Sequence, residues 1–222
     1  MAFLYIIATP IGNLEDVSKR ALRILSEVDL ILCEDTRKTK ILLDSYGIKK
    51  QTISYHQHSK LNKTDYIVDL LKADKNLALV SDAGTPGISD PGNLLIDEVA
   101  KSLGDKVKII PVPGASAVIA AASVSGFPTD RFLFLGFPPV KNKRKKFFEE
   151  AVNSKYPVIL YESPYRIIKT LEELKNMDKG LRVVVCRELT KKFETIYRGN
   201  IEKVIKDVQN DKIKGEFVII VR

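Results

Sequence analysis

The stretch NLALVSDAGTPGISDPG, residues 76–92, places a short apolar run directly before a loop of glycine, proline and aspartate. The run is bounded by turn-forming residues and predicts a buried strand, while the glycines allow the loop backbone to approach a ligand closely. The loop contains no lysine or arginine, and the chain contains neither GxGxxG nor GxxxxGK(S/T). A phosphate-binding loop of either of these kinds is therefore not predicted.

Strand and helix patterns alternate on both sides of this loop through the first half of the chain. Strand candidates are residues 3–8, 30–33, 52–55, 77–80 and 107–111. The segments between them have helical spacing, and in the first one an apolar stripe comprises Val17, Ala21, Ile24, Leu25 and Val28. This βαβαβαβαβ order predicts a mainly parallel sheet with helices on its faces, because crossovers between parallel strands are right-handed.

The second half has a different pattern. Its strand candidates are residues 132–137, 158–161, 181–186, 194–198 and 217–221, and an alanine-rich segment, 114–125, predicts a helix before them. The runs around Cys186 and Ile196 are too close in sequence for a helical crossover, so we expect them to pair antiparallel. The sequence therefore predicts two α/β domains, residues 1–113 with a mainly parallel sheet and residues 114–222 with a mixed sheet.

Composition restricts the class of protein. The chain has 222 residues, of which 45% are hydrophobic and 29% charged, and no apolar run approaches the length that spans a bilayer. No leader pattern follows Met1, so a cytoplasmic protein is expected. The net charge is +8. Residues 1–113 contain 15 Lys/Arg and 15 Asp/Glu, whereas residues 114–222 contain 21 and 13. This excess favours an acidic partner for the second half, such as RNA, although it also fits a merely soluble surface.

Metal and nucleophile chemistry find little support in the sequence. Cys33 and Cys186 lie far apart inside apolar runs and are expected in the core. His56 and His58 face one way if they lie on a strand, but two ligands are too few for a metal site. There is no GxSxG motif for a serine hydrolase. No metal is therefore predicted.

Loops after the predicted parallel strands are expected to share one edge of the sheet, where open α/β sheets bind ligands. They comprise ATPIGN (8–13), CEDTRKT (33–39), YHQHS (55–59), SDAGTPGISDPG (81–92) and PVPGASA (111–117). Each alone fits an ordinary tight turn, but several on one edge favour a site. Asp82 and Asp90 suit a ligand with a cationic group and hydroxyl groups, such as S-adenosylmethionine.

Motifs along the whole chain resemble the small-subunit ribosomal RNA methyltransferases of the tetrapyrrole methylase superfamily. They include TPIGNL (9–14), CEDTRKT, SDAGTPGISDPG, PVPGASA, FPTDRFLFLGFPP (127–139), YESPYR (161–166), RELTKKFETI (187–196) and KGEFVIIV (214–221). The resemblance implies a cytoplasmic homodimer that transfers a methyl group from S-adenosylmethionine to the ribose 2′-hydroxyl of a cytidine in the decoding region of 16S rRNA. It also implies a cofactor cleft between the two α/β domains.

The resemblance further implies which residues contact the cofactor, mainly through the backbone. These are Pro10, Ile11, Gly12, Asp82, Ala83, Gly84, Thr85, Ser116, Ala117, Tyr161 and Glu162. Members of the family often continue past the last strand into a small helical extension. Where this chain stops, either a weaker grip on RNA or a greater dependence on the ribosomal subunit is expected. Tyr165 stands where the family commonly has histidine, which leaves any titrating role of that position open.

Removal of the 2′-hydroxyl proton calls for a base, and Glu188 and Lys191 are the candidates, with His56 a weaker one. A structural ion pair between Glu188 and Lys191 is an equally good interpretation. RNA phosphates are expected to bind the basic run KNKRKK and its neighbours, because cations at a helix N-terminus oppose the helix dipole unless a ligand uses them. The predicted RNA-binding residues are Arg37, Arg131, Lys141, Lys143, Arg144, Lys145, Lys146 and Arg166.

Two other functions stay open at this point. A tetrapyrrole C-methyltransferase would share the fold and the cofactor but would bind a polyanionic macrocycle. A non-catalytic RNA-binding or ribosome-assembly protein would retain the basic half without a working cofactor loop.

Overall fold

In the computed structural model, which describes residues 1–56 and 61–222, strands and helices alternate along the chain. The chain divides into two units, Met1–Ser116 and Ala117–Arg222. The elements of unit 1 are β1 (Ala2–Ile7), α1 (Lys19–Glu27), β2 (Leu30–Cys33), α2 (Thr36–Ser45), β3 (Thr52–Ser54), α3 (Leu61–Lys72), β4 (Leu77–Leu79), α4 (Asn93–Leu103) and β5 (Val107–Val112).

The sheet of unit 1 has the strand order β3-β2-β4-β1-β5, and every neighbouring pair is parallel. Alternate side chains of β1 belong to different cores. Leu4 packs in a core with residues of α3 and α4, and Ile7 packs in a core with residues of α1 and α2. Helices therefore cover both faces, as the alternation of patterns predicts.

The predicted apolar stripe forms the buried face of α1. Ala21, Ile24 and Leu25 are buried in the helix, which begins after Ser18, whose hydroxyl accepts a hydrogen bond from the Ala21 amide at 3.0 Å. Val17 lies before the cap and still packs against the same core. An N-cap serine satisfies an amide that the first turn would otherwise leave unpaired.

Unit 2 comprises α5 (Ala117–Ser125), β6 (Leu133–Gly136), α6 (Arg144–Val152), β7 (Val158–Glu162), α7 (Ile167–Met177), β8 (Arg182–Arg187), β9 (Thr195–Asn200), α8 (Ile201–Gln209) and β10 (Phe217–Val221). The strand order is β6-β7-β10-β8-β9. β6 and β7 are parallel, and the other neighbouring pairs are antiparallel. The predicted mixed sheet is confirmed, including the antiparallel pairing of Cys186 with Ile196.

A single core lies between the sheet of unit 2 and the helices α6, α7 and α8. The helices contribute side chains such as Phe148, Leu171 and Val204 to this core, and the strands contribute Val185 and Ile219. Helix α5 contacts β10. Each unit therefore has its own hydrophobic core, which is the usual mark of a domain.

Within the described ranges, 1–56 and 61–222, the helices are all too short or too polar to cross a membrane. The same ranges contain no group of three or more His, Cys, Asp or Glu side chains arranged to hold a metal ion. His56 is exposed, and His58 lies outside the described residues. The histidine pair considered from the sequence therefore has one described member.

Candidate functional site

The loops that follow β1 and β4 are joined by backbone hydrogen bonds. The Thr9 amide donates to the Gly84 carbonyl at 2.8 Å, and the Gly84 amide donates to the Thr9 carbonyl at 3.0 Å. The Thr9 hydroxyl also lies 3.2 Å from the carbonyl of Ser81, to which it donates. These strands are neighbours in the sheet. The two loops therefore form one continuous surface at the carboxyl edge of unit 1.

Glycine allows the third loop, after β5, to approach the first. A Cβ on Gly114 would lie 3.1 Å from the Cβ of Ala8 and 3.2 Å from its carbonyl oxygen. The Thr85 hydroxyl donates to the Ala115 carbonyl at 3.1 Å, which links the third loop to the second. Close backbone approach of this kind leaves main-chain groups as the lining of the surface.

Gly84 lies where the three loops meet. Its φ is +82°, in the region that favours glycine, and a Cβ there would point towards Ile11 Cγ2 at 3.4 Å and Ala115 O at 3.8 Å. Ile11 is buried, whereas Pro10 is partly buried and Gly12 exposed. The structure thus brings the predicted cofactor residues of the first two loops together, with Gly84 at their centre.

Asp82, a charged residue of the predicted cofactor set, lies in the loop after β4 at the carboxyl edge of unit 1. Its carboxylate accepts a hydrogen bond from the Asp35 amide at 3.0 Å and from Lys38 Nζ at 2.8 Å. The Asp82 amide in turn donates to Glu34 Oε2 at 3.3 Å. The loop without cations therefore lies beside Lys38 in the first turn of α2. The motif CEDTRKT contains this lysine, but its contact with Asp82 depends on the strand order β2-β4, which the motif does not reveal.

The remaining cofactor residues predicted from the resemblance are partly buried, apart from Glu162, which is buried. Ala83 and Thr85 belong to the loop after β4, and Ser116 is the last residue of unit 1. Ala117 begins α5, and Tyr161 and Glu162 end β7 in unit 2. Each position is compatible with backbone contact, and the cofactor roles stay predictions.

The Glu162 carboxylate is occupied inside unit 2. It is buried and accepts hydrogen bonds from the Ser163 amide at 2.7 Å and the Thr170 hydroxyl at 2.6 Å. Arg166 forms an ion pair with it at 2.8 Å. None of the Glu162 side chain is exposed, so a ligand cannot reach the carboxylate and contact through Glu162 is expected from its backbone only.

Arg144 requires a correction to the sequence-based expectation. Its side chain is buried, with 8% of it exposed, and donates to Glu173 at 2.7 Å, to Thr170 at 2.7 Å and to the Pro139 carbonyl at 2.9 Å. Its guanidinium also lies over the Phe148 ring, 4.8 Å from the centroid. Phosphate binding by Arg144 is no longer expected, because its donors are used within the core of unit 2.

Arg166 has a similar role. It pairs with Glu162 and donates to the Pro138 carbonyl at 3.0 Å. Arg144 and Arg166 therefore hold the carbonyls of two adjacent prolines in the loop after β6. The exposed cations left from the predicted RNA set are Arg37, Arg131, Lys141, Lys143, Lys145 and Lys146.

Three of these exposed cations already have partners, and for Lys145 the partner is Glu149, at 3.8 Å. Arg37 lies in the first turn of α2, and hydrogen bonds from its side chain and its amide lower the pKa of Asp35 to about 2. Arg131 donates to the Tyr156 hydroxyl at 3.2 Å and lies near that ring, 5.8 Å from its centroid. Exposed contacts of this kind are weak enough to be exchanged for a phosphate.

Glu188 and Lys191 form the ion pair that the sequence analysis left as an alternative. Lys191 Nζ donates to Glu188 Oε1 and to Glu216 Oε2, both at 2.9 Å. Burial alone would lower the pKa of Lys191, but these hydrogen bonds outweigh it and the pKa is raised. Burial alone would raise the pKa of Glu188, but the bonds from Lys191 and the Glu216 amide outweigh it and the pKa is lowered. A lysine base requires the opposite shift.

The turn that carries this ion pair is conformationally restricted. Glu188 and Thr190 have φ of +52° and +65°. A Cβ on Gly215 would lie 2.3 Å from Glu188 Cδ, so Gly215 leaves the space that the carboxylate fills. The Thr190 hydroxyl oxygen is buried without a hydrogen-bond partner. Restricted backbone of this kind is common at functional sites and at structural turns alike.

Comparison with known proteins gives matches that extend over most of the chain. Residues 3–205 match the family described as Tetrapyrrole (Corrin/Porphyrin) Methylases. The chain is 44% identical over 219 residues to "Ribosomal RNA small subunit methyltransferase I" of Halalkalibacterium halodurans, covering 98% of this chain and 75% of that protein. It is 40% identical over 220 residues to the protein of the same name from Thermotoga maritima, covering 99% and 98%.

A solved structure shares the fold. The cobalt precorrin-4 methyltransferase superimposes with a TM-score of 0.69 at 19% identity, covering 99% of this chain and 94% of that one. At this identity the likeness supports the architecture alone. The family match and the curated relatives identify the chain as a member of the tetrapyrrole methylase family, in its ribosomal RNA small subunit methyltransferase I group.

Proposed function

We propose that this chain transfers a methyl group from S-adenosylmethionine to the ribose 2′-hydroxyl of a cytidine in the decoding region of 16S rRNA. The observation that carries the proposal is identity of 44% over 98% of the chain to a small-subunit ribosomal RNA methyltransferase. The mixed sheet of unit 2 and the exposed lysines around the start of α6 are consistent with this function.

The carboxyl edge of unit 1 fits the donor. The close approach at Gly84 and Gly114 leaves a surface of main-chain groups that a Cβ would crowd. The residues of unit 1 that would hold the donor there are Pro10, Ile11, Gly12, Asp82, Ala83, Gly84, Thr85 and Ser116. For Ala117, Tyr161 and the Glu162 backbone of unit 2, donor contact is proposed from the resemblance alone. When bound, the donor supplies a methyl group activated by a positive sulfur.

Charge at this edge also favours the donor over its product. The loop 81–92 contains two aspartates and no lysine or arginine. A carboxylate near a sulfonium stabilises it, and the attraction is lost once the sulfur becomes neutral. The same loop would therefore hold the donor more tightly than the spent cofactor, which helps product release.

Deprotonation of the 2′-hydroxyl is the step that the structure constrains most. Lys191 keeps its proton and donates hydrogen bonds to the Glu188 and Glu216 carboxylates, so it does not act as the base in this arrangement. Glu188 and the weaker candidate His56 are the predicted acceptors that remain, and the lowered pKa of Glu188 makes it a weak base. Its proposed contribution is therefore to orient the hydroxyl, since alignment of reacting groups supplies much of the rate of such transfers.

RNA binding is proposed for the exposed cations of the predicted set. Lys141, Lys143, Lys145 and Lys146 are exposed around the start of α6, where cations oppose the helix dipole. A polyanion relieves this opposition. Phosphate contacts of this kind give affinity that falls with salt and does not depend on base sequence.

Two further parts of the proposal concern assembly and location. A homodimer and action on the small ribosomal subunit, rather than on free RNA, are proposed from the resemblance stated above. Because the proposed substrate is ribosomal, the site of action is proposed to be the cytoplasm.

A methyltransferase assay tests the proposal against its competitors. The purified protein is incubated with labelled S-adenosylmethionine and either small subunits that lack the modification or a porphyrinogen. Nucleosides from the RNA are then separated and identified by mass spectrometry. We expect 2′-O-methylcytidine from the small subunits and no labelled macrocycle. Label in the macrocycle would support the tetrapyrrole alternative, and calorimetry without any donor binding would support a non-catalytic RNA-binding protein.

A further inference from the structure

Three aromatic rings meet at the carboxyl ends of β6 and β7. Tyr161, on β7, contacts Phe134 and Phe137 edge to face, with ring centroids 5.0 and 5.4 Å apart. Phe137 follows β6 and is nevertheless 53% exposed. Because β6 and β7 are parallel neighbours, their carboxyl ends lie on one edge of the sheet. The cluster therefore presents an aromatic surface at this edge.

Tyr165 lies in the loop that follows β7, and 96% of the residue is exposed. Its neighbour Arg166 donates to the carbonyl of Pro138, the neighbour of Phe137, at 3.0 Å. This hydrogen bond places the loop of Tyr165 directly beside the loop of Phe137. Exposed single apolar residues are ordinary, but here two large exposed rings, Phe137 and Tyr165, lie on loops that a hydrogen bond joins.

The loops beneath these rings are held by one buried and one partly buried side chain. Arg144 anchors the Pro139 carbonyl at 2.9 Å and Arg166 anchors that of Pro138. Thr170 connects the two arginines, since it accepts from Arg144 and donates to Glu162, the ion-pair partner of Arg166. A surface held in this way loses little entropy when it binds a flat ligand.

The surroundings indicate the charge of that ligand. The segment that follows Phe137 and the two prolines contains the exposed side chains of Lys141, Lys143, Lys145 and Lys146. A partner that satisfies both features has flat rings and a regular row of negative charges. RNA with unpaired bases has both, whereas the bases of a duplex already stack on each other.

We propose that Phe137 and Tyr165 form a stacking platform for unpaired bases of the RNA, with Lys141, Lys143 and Lys145 on the flanking phosphates. This inference rests on the proposed function, since it names the form of RNA that the same protein binds. It assigns the two rings to substrate binding, and it assigns them no part in holding the methyl donor.

The test compares Phe137→Ala and Tyr165→Ala with the parent protein by fluorescence anisotropy. The probes are a short single-stranded RNA of mixed sequence and the duplex of the same sequence. We expect each variant to lose about 5- to 150-fold in affinity for the single strand, the range that aromatic stacking on a base gives. Affinity for the duplex should not change. Tyr165→Phe should keep the parent affinity, since it keeps the ring.

Tyr66→Ala is the matched control, because Tyr66 is also exposed, at 52%, but lies on α3 of unit 1. Parent-like single-strand affinity in both platform variants overturns the inference, and so does equal loss with the duplex. Unchanged RNA affinity with a changed sedimentation coefficient also overturns it and assigns the patch to a second copy of the chain. A parent that binds single strands in this manner but methylates no small subunit would contradict the proposed function alone.

Discussion

Thr9 and Gly84 exchange two backbone hydrogen bonds, at 2.8 and 3.0 Å, although 75 positions separate them in the sequence. The pair joins the loops after β1 and β4 beyond the ends of the strands themselves. The surface proposed for the donor is thereby fixed before any ligand arrives, which lowers the conformational cost of binding.

Gly84→Val should remove donor binding while leaving unit 1 folded. Valine at φ of +82° is strained, and its branches would enter the space between Ile11 and Ala115. We expect at least a tenfold loss of S-adenosylmethionine affinity by calorimetry, together with a stability loss of about 1–3 kcal/mol from the backbone. Gly47→Val is the control, since φ there is +66° and no atom lies within 4 Å of its Cβ position. Equal donor affinity in both variants would place the donor elsewhere.

Asp82→Asn should change the preference between donor and product. A carboxylate that faces the positive sulfur attracts the donor but not the neutral product. Its removal should therefore weaken the binding of S-adenosylmethionine and leave the binding of S-adenosylhomocysteine nearly unchanged. The ratio of the two affinities should fall roughly fivefold, or by about 1 kcal/mol. Lys38→Met removes the cation 2.8 Å from Asp82 and should shift the ratio the other way. Calorimetry with both ligands measures the ratio. Parallel losses for the two ligands would mean that Asp82 only joins the loops.

Arg144→Met should destabilise the protein, whereas Lys141→Met should not. Loss of Arg144 removes the cationic donor from Glu173, the Thr170 hydroxyl and the Pro139 carbonyl, and breaking a buried ion pair of this kind costs about 3–5 kcal/mol. Lys141→Met should instead weaken RNA binding uniformly and reduce the salt slope by about one. Urea unfolding and salt-dependent anisotropy distinguish them. A stable Arg144→Met protein with a reduced salt slope would restore its predicted role as a phosphate contact.

Glu188→Gln should lose stability at neutral pH, and the difference should shrink in acid. The folded state lowers the pKa of Glu188, so its contribution is present above the carboxyl pKa of the unfolded chain and is lost as the pH falls through the lower folded value. Urea unfolding at pH 7 and in mild acid measures the difference.

Glu216→Gln is the control for Glu188→Gln, because Glu216 shares Lys191 but its side chain is 76% exposed. A pH-independent difference between Glu188→Gln and the parent would contradict the ion-pair account. If Glu188→Gln instead keeps its stability and loses methyl transfer, Glu188 acts on the substrate.

Local patterns were sufficient for the architecture. The strand Leu77–Leu79 and the stripe of α1 are readable because apolar residues recur with the period of the element that buries them. The antiparallel pairing of β8 and β9 is also predictable, since too few residues separate these strands for a crossover. The family motifs located the loops of unit 1, and the structure joins those loops through Gly84.

Side-chain partners that are distant in sequence were not predictable. KNKRKK looks like a uniform solvated run, yet the phase of α6 turns Arg144 alone among its cations into the core, towards Thr170 and Glu173 on α7. Lys38 and Asp82 are 44 positions apart and meet only because β2 and β4 are adjacent. Such pairings depend on strand order, which a single sequence does not encode locally.

Pro138 and Pro139 offer carbonyl oxygens but no amide hydrogens, so this corner of the chain can be fastened only by groups that bring hydrogens to it. Arg144 and Arg166 do so from the starts of two different helices. The orientation of the neighbouring rings, Phe137 and Tyr165, therefore depends on the positions of α6 and α7. Substitutions on the buried faces of α6 or α7 should consequently move these exposed rings more than substitutions of Pro138 or Pro139 themselves.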